Sequence, residues 1–120
     1  MKILLVDDSL MMRTLLRGIL EAGGHDIIAE AVDGEAAVEL YRTHRPDAVT
    51  MDILMSGLGG IEALRAIRDL DPESRVIMVS AVGQEGLIAE ALESGARAYI
   101  LKPFNPDQVL DVMLRLEGVS

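Results

Sequence analysis

The stretch Ala48-Val49-Thr50-Met51-Asp52-Ile53-Leu54 decides how this chain is read. A short apolar run ends in a carboxylate, and a segment rich in glycine (Gly57, Gly59, Gly60) follows at once. Apolar runs of about four to eight residues closed by turn residues fit a buried strand. An acid at the C-terminal tip of such a strand, in an open parallel sheet, stands in the crevice where ligands bind. Alone, Asp52 is better read as an ordinary loop acid that caps the next helix or faces water. Its weight comes from the chemistry at the other strand tips.

Composition narrows the options. The 120 residues suggest one domain, residues 1–120, with a core of its own. Hydrophobic residues make up 50% of the chain and aromatics only 2%, so Leu, Ile, Val, Ala and Met must build that core. A net charge of −9 argues against nucleic acid, which needs a basic face. Apolar runs fall well short of the roughly 20 residues that span a bilayer, and no signal peptide opens the chain, so no membrane partner is expected. Without cysteine there is no disulfide framework, and a cytoplasmic protein is the expectation. The length leaves no room for a separate output domain, so any signal is expected to pass to another molecule.

Working outward from the central run, the same rhythm repeats. Lys2–Val6 is apolar and is followed by Asp7-Asp8-Ser9, with Ser9 placed to cap a helix bearing Met12, Leu15, Leu16, Ile19 and Leu20. Gly23-Gly24 ends that helix, and His25–Ala31 offers a second strand. Asp33-Gly34 leads into a helix with Ala37, Val38, Leu40 and Tyr41, and Pro46 precedes the central strand, Asp47–Met51. A third helix carries Ile61, Leu64, Ala66 and Ile67 and closes at Pro72. Arg75–Val79 is the fourth strand, ending in Ser80-Ala81. Gln84–Ser94 is a fourth helix with Leu87, Ile88, Ala91 and Leu92 inward and Gly95 beyond its end. Ala98–Leu101 is the fifth strand, ending in Lys102-Pro103-Phe104; Asn105-Pro106 then opens a last helix with Val109, Leu110, Val112, Met113 and Leu116 buried.

Strands alternating with helices every 20 to 25 residues or so imply right-handed βαβ units, hence an α/β fold with a parallel sheet covered on both faces. Near-continuous apolar strands agree with that. A parallel sheet puts its C-terminal tips along one edge, so Asp7, Asp8, Asp52, Ser80 and Lys102 should converge. If the flavodoxin-like order 2-1-3-4-5 holds, the first and third strands are neighbours and the three aspartates meet at the switch point. The second strand's tip carries no comparable signal.

Three carboxylates in one pocket repel: two unit charges ~4 Å apart cost about 4 kcal/mol at an effective dielectric of 20. A hard divalent cation relieves this, and Mg²⁺ fits best because it takes one or two carboxylates plus waters and substrate oxygens. Soft ligands are lacking, and His25 and His44 are expected in solvated loops away from the tips. Lys102 and Ser80 facing the acids ask for an anion with several oxygens. Phosphoryl transfer uses such a set, and a carboxylate can itself be the nucleophile. Ala81 would offer an accessible backbone N–H to a bound phosphoryl group. Singly, Ser80 as a turn hydroxyl, Lys102 as a surface charge and Asp7-Asp8 as helix-capping acids are the better readings. At four of five strand tips together, they are not.

These residues resemble, over the whole chain, the receiver domain of bacterial two-component response regulators. Asp7-Asp8 resembles that family's acidic metal-binding pair, Asp52 its phosphoacceptor, Ser80-Ala81 its Thr/Ser-Ala switch and Lys102-Pro103-Phe104 its Lys-Pro-Phe. Tyr99 matches the aromatic switch position. The resemblance implies that Asp52 takes a phosphoryl group from a histidine kinase, with Mg²⁺ held by Asp8, Asp52 and the Leu54 carbonyl, and with Asp7 acting through water. It implies that Ser80 then swings toward the phosphoryl oxygens, Tyr99 fills the vacated space, and a downstream target reads the surface of the fourth helix, fifth strand and fifth helix. It also implies a cis Lys102–Pro103 bond.

Departures from the family pattern carry expectations of their own. Ser56 stands where proline is usual and Leu58 where methionine is usual, which with Gly57 and Gly59 predicts a mobile Ser56–Gly60 loop without metal. Leu54 and Val82, two residues beyond Asp52 and Ser80, cannot orient a water, which predicts a slowly lost phosphoryl group. The leading reading is a monomeric, non-enzymatic binding switch of the chemotaxis type, acting on a flagellar motor or another effector. The alternatives are a phosphorelay intermediate, a receiver cut from a larger regulator and, more distantly, an Mg²⁺-dependent phosphohydrolase.

Overall fold

Each strand is decided by which face its alternate side chains bury. In a computed structural model, which describes residues 1–55, 57–81 and 83–117, β3 (Ala48–Asp52) lies at the centre with all five residues buried. Val49 and Met51 point to one side, with Leu4, Val6, Val76 and Met78 from the neighbouring strands. Ala48 points to the other, with Ile3, Leu5, Ile77, Val79 and Ile100. This period of two forces a three-layer molecule, because both faces of the sheet must leave water.

The elements alternate as β1 (Lys2–Val6), α1 (Leu10–Ala22), β2 (Asp26–Ala31), α2 (Gly34–His44), β3, α3 (Gly60–Leu70), β4 (Val76–Ala81), α4 (Glu85–Glu93), β5 (Ala98–Lys102) and α5 (Pro106–Leu116). The sheet is parallel in the order β2-β1-β3-β4-β5, the flavodoxin-like order the sequence predicts. Helices α2, α3 and α4 cover the Val49 face through Ala37, Tyr41, Leu64, Ile67, Ile88 and Ala91. Helices α1 and α5 cover the Ala48 face through Leu16, Ile19, Leu20, Val109 and Met113.

Local chemistry sets the ends of these elements. Ser9 Oγ accepts from Met12 N (3.2 Å) and Asp33 Oδ1 from Ala36 N (2.8 Å), so α1 and α2 each begin with one backbone donor satisfied. Asn105 and Gln108 close a reciprocal capping box before α5. Gly95, just past α4, has φ +107, a conformation that a Cβ would strain. The Lys102–Pro103 bond is cis.

Some expectations need correction. Leu92, placed inward by helical spacing, is exposed, as is Leu15 of α1. The edge strands β2 and β5 are only partly buried, unlike the three central ones. His44 ends α2 and is exposed, but His25 is not a solvated loop residue: only 9% of its surface is accessible. The α-amino group of Met1 contacts His25 Nδ1 at 3.1 Å, and Glu117 Oε1 lies 3.7 Å from Nε2. Burial, with that ammonium second, lowers the His25 pKa. Among the described residues no helix is long and apolar enough to cross a membrane.

Candidate functional site

Register brings the acids together. Val6 pairs with Met51, so the residues that follow β1, Asp7 and Asp8, meet Asp52 at the C-terminal edge of the sheet. One carboxylate oxygen from each of the three lies within 4.8 Å of the others. Asp7 is held in place from several directions. Its N–H donates to the Ala31 carbonyl (3.1 Å), its Oδ1 accepts from Ser9 N (2.8 Å), and its carbonyl accepts from the Arg13 guanidinium (2.6 Å). Its Oδ2 is buried with no hydrogen-bond donor among the described residues.

Lys102, the last residue of β5, reaches across β4 into this cluster. Its Nζ stands 3.5 Å from Asp7 Oδ2 and 3.6 Å from Asp52 Oδ1. One ammonium among three carboxylates leaves the pocket negative. Burial pushes the Asp52 carboxyl up to about 6; Lys102 pulls it down, while Asp7 and Asp8 push it further up. An all-oxygen donor set, an excess of negative charge and an orphaned buried oxygen on Asp7 together fit a hard divalent cation. Leu54, whose carbonyl the sequence reading also enlists, lies in the exposed bend just past β3.

The register of β4 carries the remaining groups to the same edge. Asp52 pairs with Val79, and Ala81 with Lys102, so Ser80 and Ala81 lie between the acid and the lysine. Ser80 is fully buried, and its Oγ has no hydrogen-bond partner among the described residues. An unpaired buried hydroxyl is costly, and here it stands next to an acid pocket. Tyr99 is 44% exposed and lines a groove of about 660 Å³ with Leu92, Leu101, Asp111 and Arg115. One expectation fails: the Ala81 N–H is not open, because it donates to Gln84 Oε1 at 2.8 Å.

The sequence reading missed three supports. Gln84 is the first, although its position three residues after Ala81 is the spacing by which a capping-box side chain reaches back to a backbone N–H. The second is Arg13, which joins the Asp7 carbonyl to Glu30 of β2 (Nε to Oε1, 2.8 Å). Its signal was a charge at helical spacing from buried Leu16 and Leu20. The third is Glu35, whose Oε1 accepts from Leu58 N at 3.1 Å and so ties the loop after β3 to α2. Gly60 N donates to the Ile53 carbonyl at 3.1 Å and anchors the far end of that loop. Ser56, where the mobile loop was expected to begin, and Val82, used in the expectation of slow phosphoryl loss, lie outside the described residues.

Fold and site together define a class. The response regulator receiver domain family matches residues 3–114, and the chain belongs to that family. Its similarity is of the CheY kind: it is 45% identical over 112 residues to the chemotaxis protein CheY of Bacillus subtilis, covering 93% of each chain. It is also 46% identical over 117 residues to protein CcdB of the same organism, covering 98% of each. Among solved structures, the CheX-CheY-BeF3-Mg+2 complex from Borrelia burgdorferi matches with a TM-score of 0.92 and 39% identity, over 96% of this chain and 87% of that one. The chain is thus a CheY-like response regulator.

Proposed function

We propose that residues 1–120 work as one phosphorylation-controlled receiver and that Asp52 is its phosphoacceptor. The observation that carries this is Lys102 Nζ bridging Asp7 Oδ2 and Asp52 Oδ1 at 3.5 and 3.6 Å beside a three-carboxylate cluster. Asp52 attacks the phosphorus of a phosphohistidine on a histidine kinase; the new O–P bond forms as the P–N bond breaks, and the imidazole leaves with a proton. Asp8, Asp52 and the Leu54 carbonyl hold Mg²⁺, with Asp7 acting through water. Bound there, Mg²⁺ neutralises charge on the carboxylates and on the transferring oxygens.

The chain's own groups do the remaining work. Lys102 supplies a fixed positive charge, and the Ser80 hydroxyl and Ala81 N–H donate to the equatorial oxygens. Ser80 moving toward them leaves space that Tyr99, now outside, turns in to fill. The groove between α4, β5 and α5 changes shape as a result, and a downstream target of the chemotaxis type reads it. The protein works in the cytoplasm as a monomer, and its only chemistry is its own phosphorylation and slow dephosphorylation. The CheX-CheY complex supports a partner-binding role by kinship.

Incubation with acetyl phosphate and Mg²⁺, followed by intact mass, tests this reading. Wild type gains one phosphoryl group and Asp52→Asn gains none. Equal gain by both proteins removes Asp52 from its role.

A further inference from the structure

Ser9, Asp33 and Asn105 cap α1, α2 and α5 with side-chain hydrogen bonds; α3, which starts after Gly59, and α4 have none. The N-cap residue of α4, Gln84, makes no side-chain bond to the helix. Its carboxamide turns back, and Oε1 accepts from Ala81 N at 2.8 Å. Ala81 is the last residue of β4, beside Lys102 in the register, and follows directly on Ser80 with its unpartnered buried hydroxyl. Of these two neighbouring donors, the Ser80 hydroxyl has no partner among the described residues and the Ala81 N–H is already taken.

We propose that Gln84 is a displaceable stand-in for the anion: its carboxamide holds Ala81 N–H at rest, and a phosphoryl group on Asp52 must evict it, releasing the start of α4. This rests on the reading of Asp52 as phosphoacceptor. Residue type fits the role. A neutral amide oxygen accepts more weakly than an anionic oxygen, so the phosphoryl group wins the N–H once present. A carboxylate at this position would instead hold the N–H and repel the phosphoryl group.

Eviction has a mechanical consequence. At its other end α4 is tied to α3, where Arg65 donates to Glu90 Oε2 (3.0 Å) and Ser94 Oγ (3.1 Å). The Gln84 end is held by its contact with β4. Freeing the carboxamide lets it turn to the unbonded N–H groups of the first turn of α4, the usual work of a capping side chain. The message thus reaches α4 by a route separate from Ser80 and Tyr99. Linkage makes it reciprocal: a partner that holds the start of α4 in its released arrangement tightens phosphoryl binding by the same factor.

Beryllium fluoride with Mg²⁺ is the probe, titrated by ¹⁹F NMR into wild type, Gln84→Met and Gln84→Ala. Met keeps the length and lacks the acceptor. Both variants should bind about fivefold more tightly, the net worth of one hydrogen bond no longer competed away. In the unliganded variants the Ala81 amide should also exchange with solvent faster than in wild type. Affinity equal to or weaker than wild type in both variants, or unchanged Ala81 exchange, overturns the role of Gln84 and leaves Asp52 untouched. A wild type that binds no beryllium fluoride overturns both.

Discussion

The Lys102 ammonium lies 3.6 Å from Asp52 Oδ1, joining the ends of two strands that are not neighbours in the sheet. It is the second-largest influence on Asp52 and the largest one favouring its charged form. Replacing Lys102 with Met leaves burial, Asp7 and Asp8 all acting in one direction. The carboxyl of Asp52 should then titrate above the value of about 6 that it has with the lysine in place. The ¹³C shift of that carboxyl, followed against pH without metal, checks this; an unchanged midpoint counts against it.

Asp52 should also make the metal-free protein less stable at neutral pH than in mild acid. Its folded pKa of about 6 lies above the ordinary value of 3.8, so between those two pH values the folded state binds more protons than the unfolded one. Stability from this group therefore falls as pH rises through that window, and the full penalty stands above about 6. A shift of about two pH units corresponds to about 3 kcal/mol. Asp52→Asn removes the penalty. In EDTA the variant should be the more stable protein at pH 7, with the gap closing toward pH 4, as urea melts will show.

Metal should reverse that deficit in wild type. A cation that binds only the folded protein stabilises it by about 2.7 kcal/mol at 100 times its dissociation constant. Titrating Mg²⁺ into wild type should raise Tm, and Asp8→Asn should lose most of the rise because it removes a ligand from a three-carboxylate cluster. An equal rise in both proteins would place the ion elsewhere.

Gly60 opens α3 directly against the strand that carries Asp52. A Cβ at position 60 would overlap the Asp52 carbonyl oxygen and sit 2.9 Å from Ile53 Cα, both backbone atoms that cannot swing aside. Gly60→Ala should destabilise the protein by about 1–3 kcal/mol, the usual cost of forcing an extra methyl into a packed site. Denaturant unfolding measures it, with Gly18→Ala, whose Cβ would meet no atom of the other described residues within 4 Å beyond its own helix backbone, as the control expected to cost little.

Legibility in the sequence followed the range of the interactions. Strands read clearly because Ile-Leu-Leu-Val and Val-Ile-Met-Val are apolar on both faces, and parallel topology then carries Asp7, Asp52, Ser80 and Lys102 to one edge without further information. Which flank of a helix its neighbours cover is a tertiary matter, so spacing alone misplaced Leu92. His25 is buried by the chain start and by the residue after α5, ninety-two positions away, and no local pattern announces that. Arg13 of α1 reaches the Asp7 carbonyl and is itself held by Glu30 of β2, two elements that no local pattern joins. Gln84 was within reach of local reasoning, since its acceptor stands three residues from the N–H it takes.

The most direct measurement is chemical location of the phosphoryl group. Borohydride reduces an aspartyl phosphate to homoserine, which peptide mass spectrometry places in the chain. After acetyl phosphate and Mg²⁺, homoserine should replace aspartate at position 52 alone, and EDTA should abolish it. Homoserine at position 7 or 8, or none at 52 in protein that has gained a phosphoryl group, would contradict the assignment.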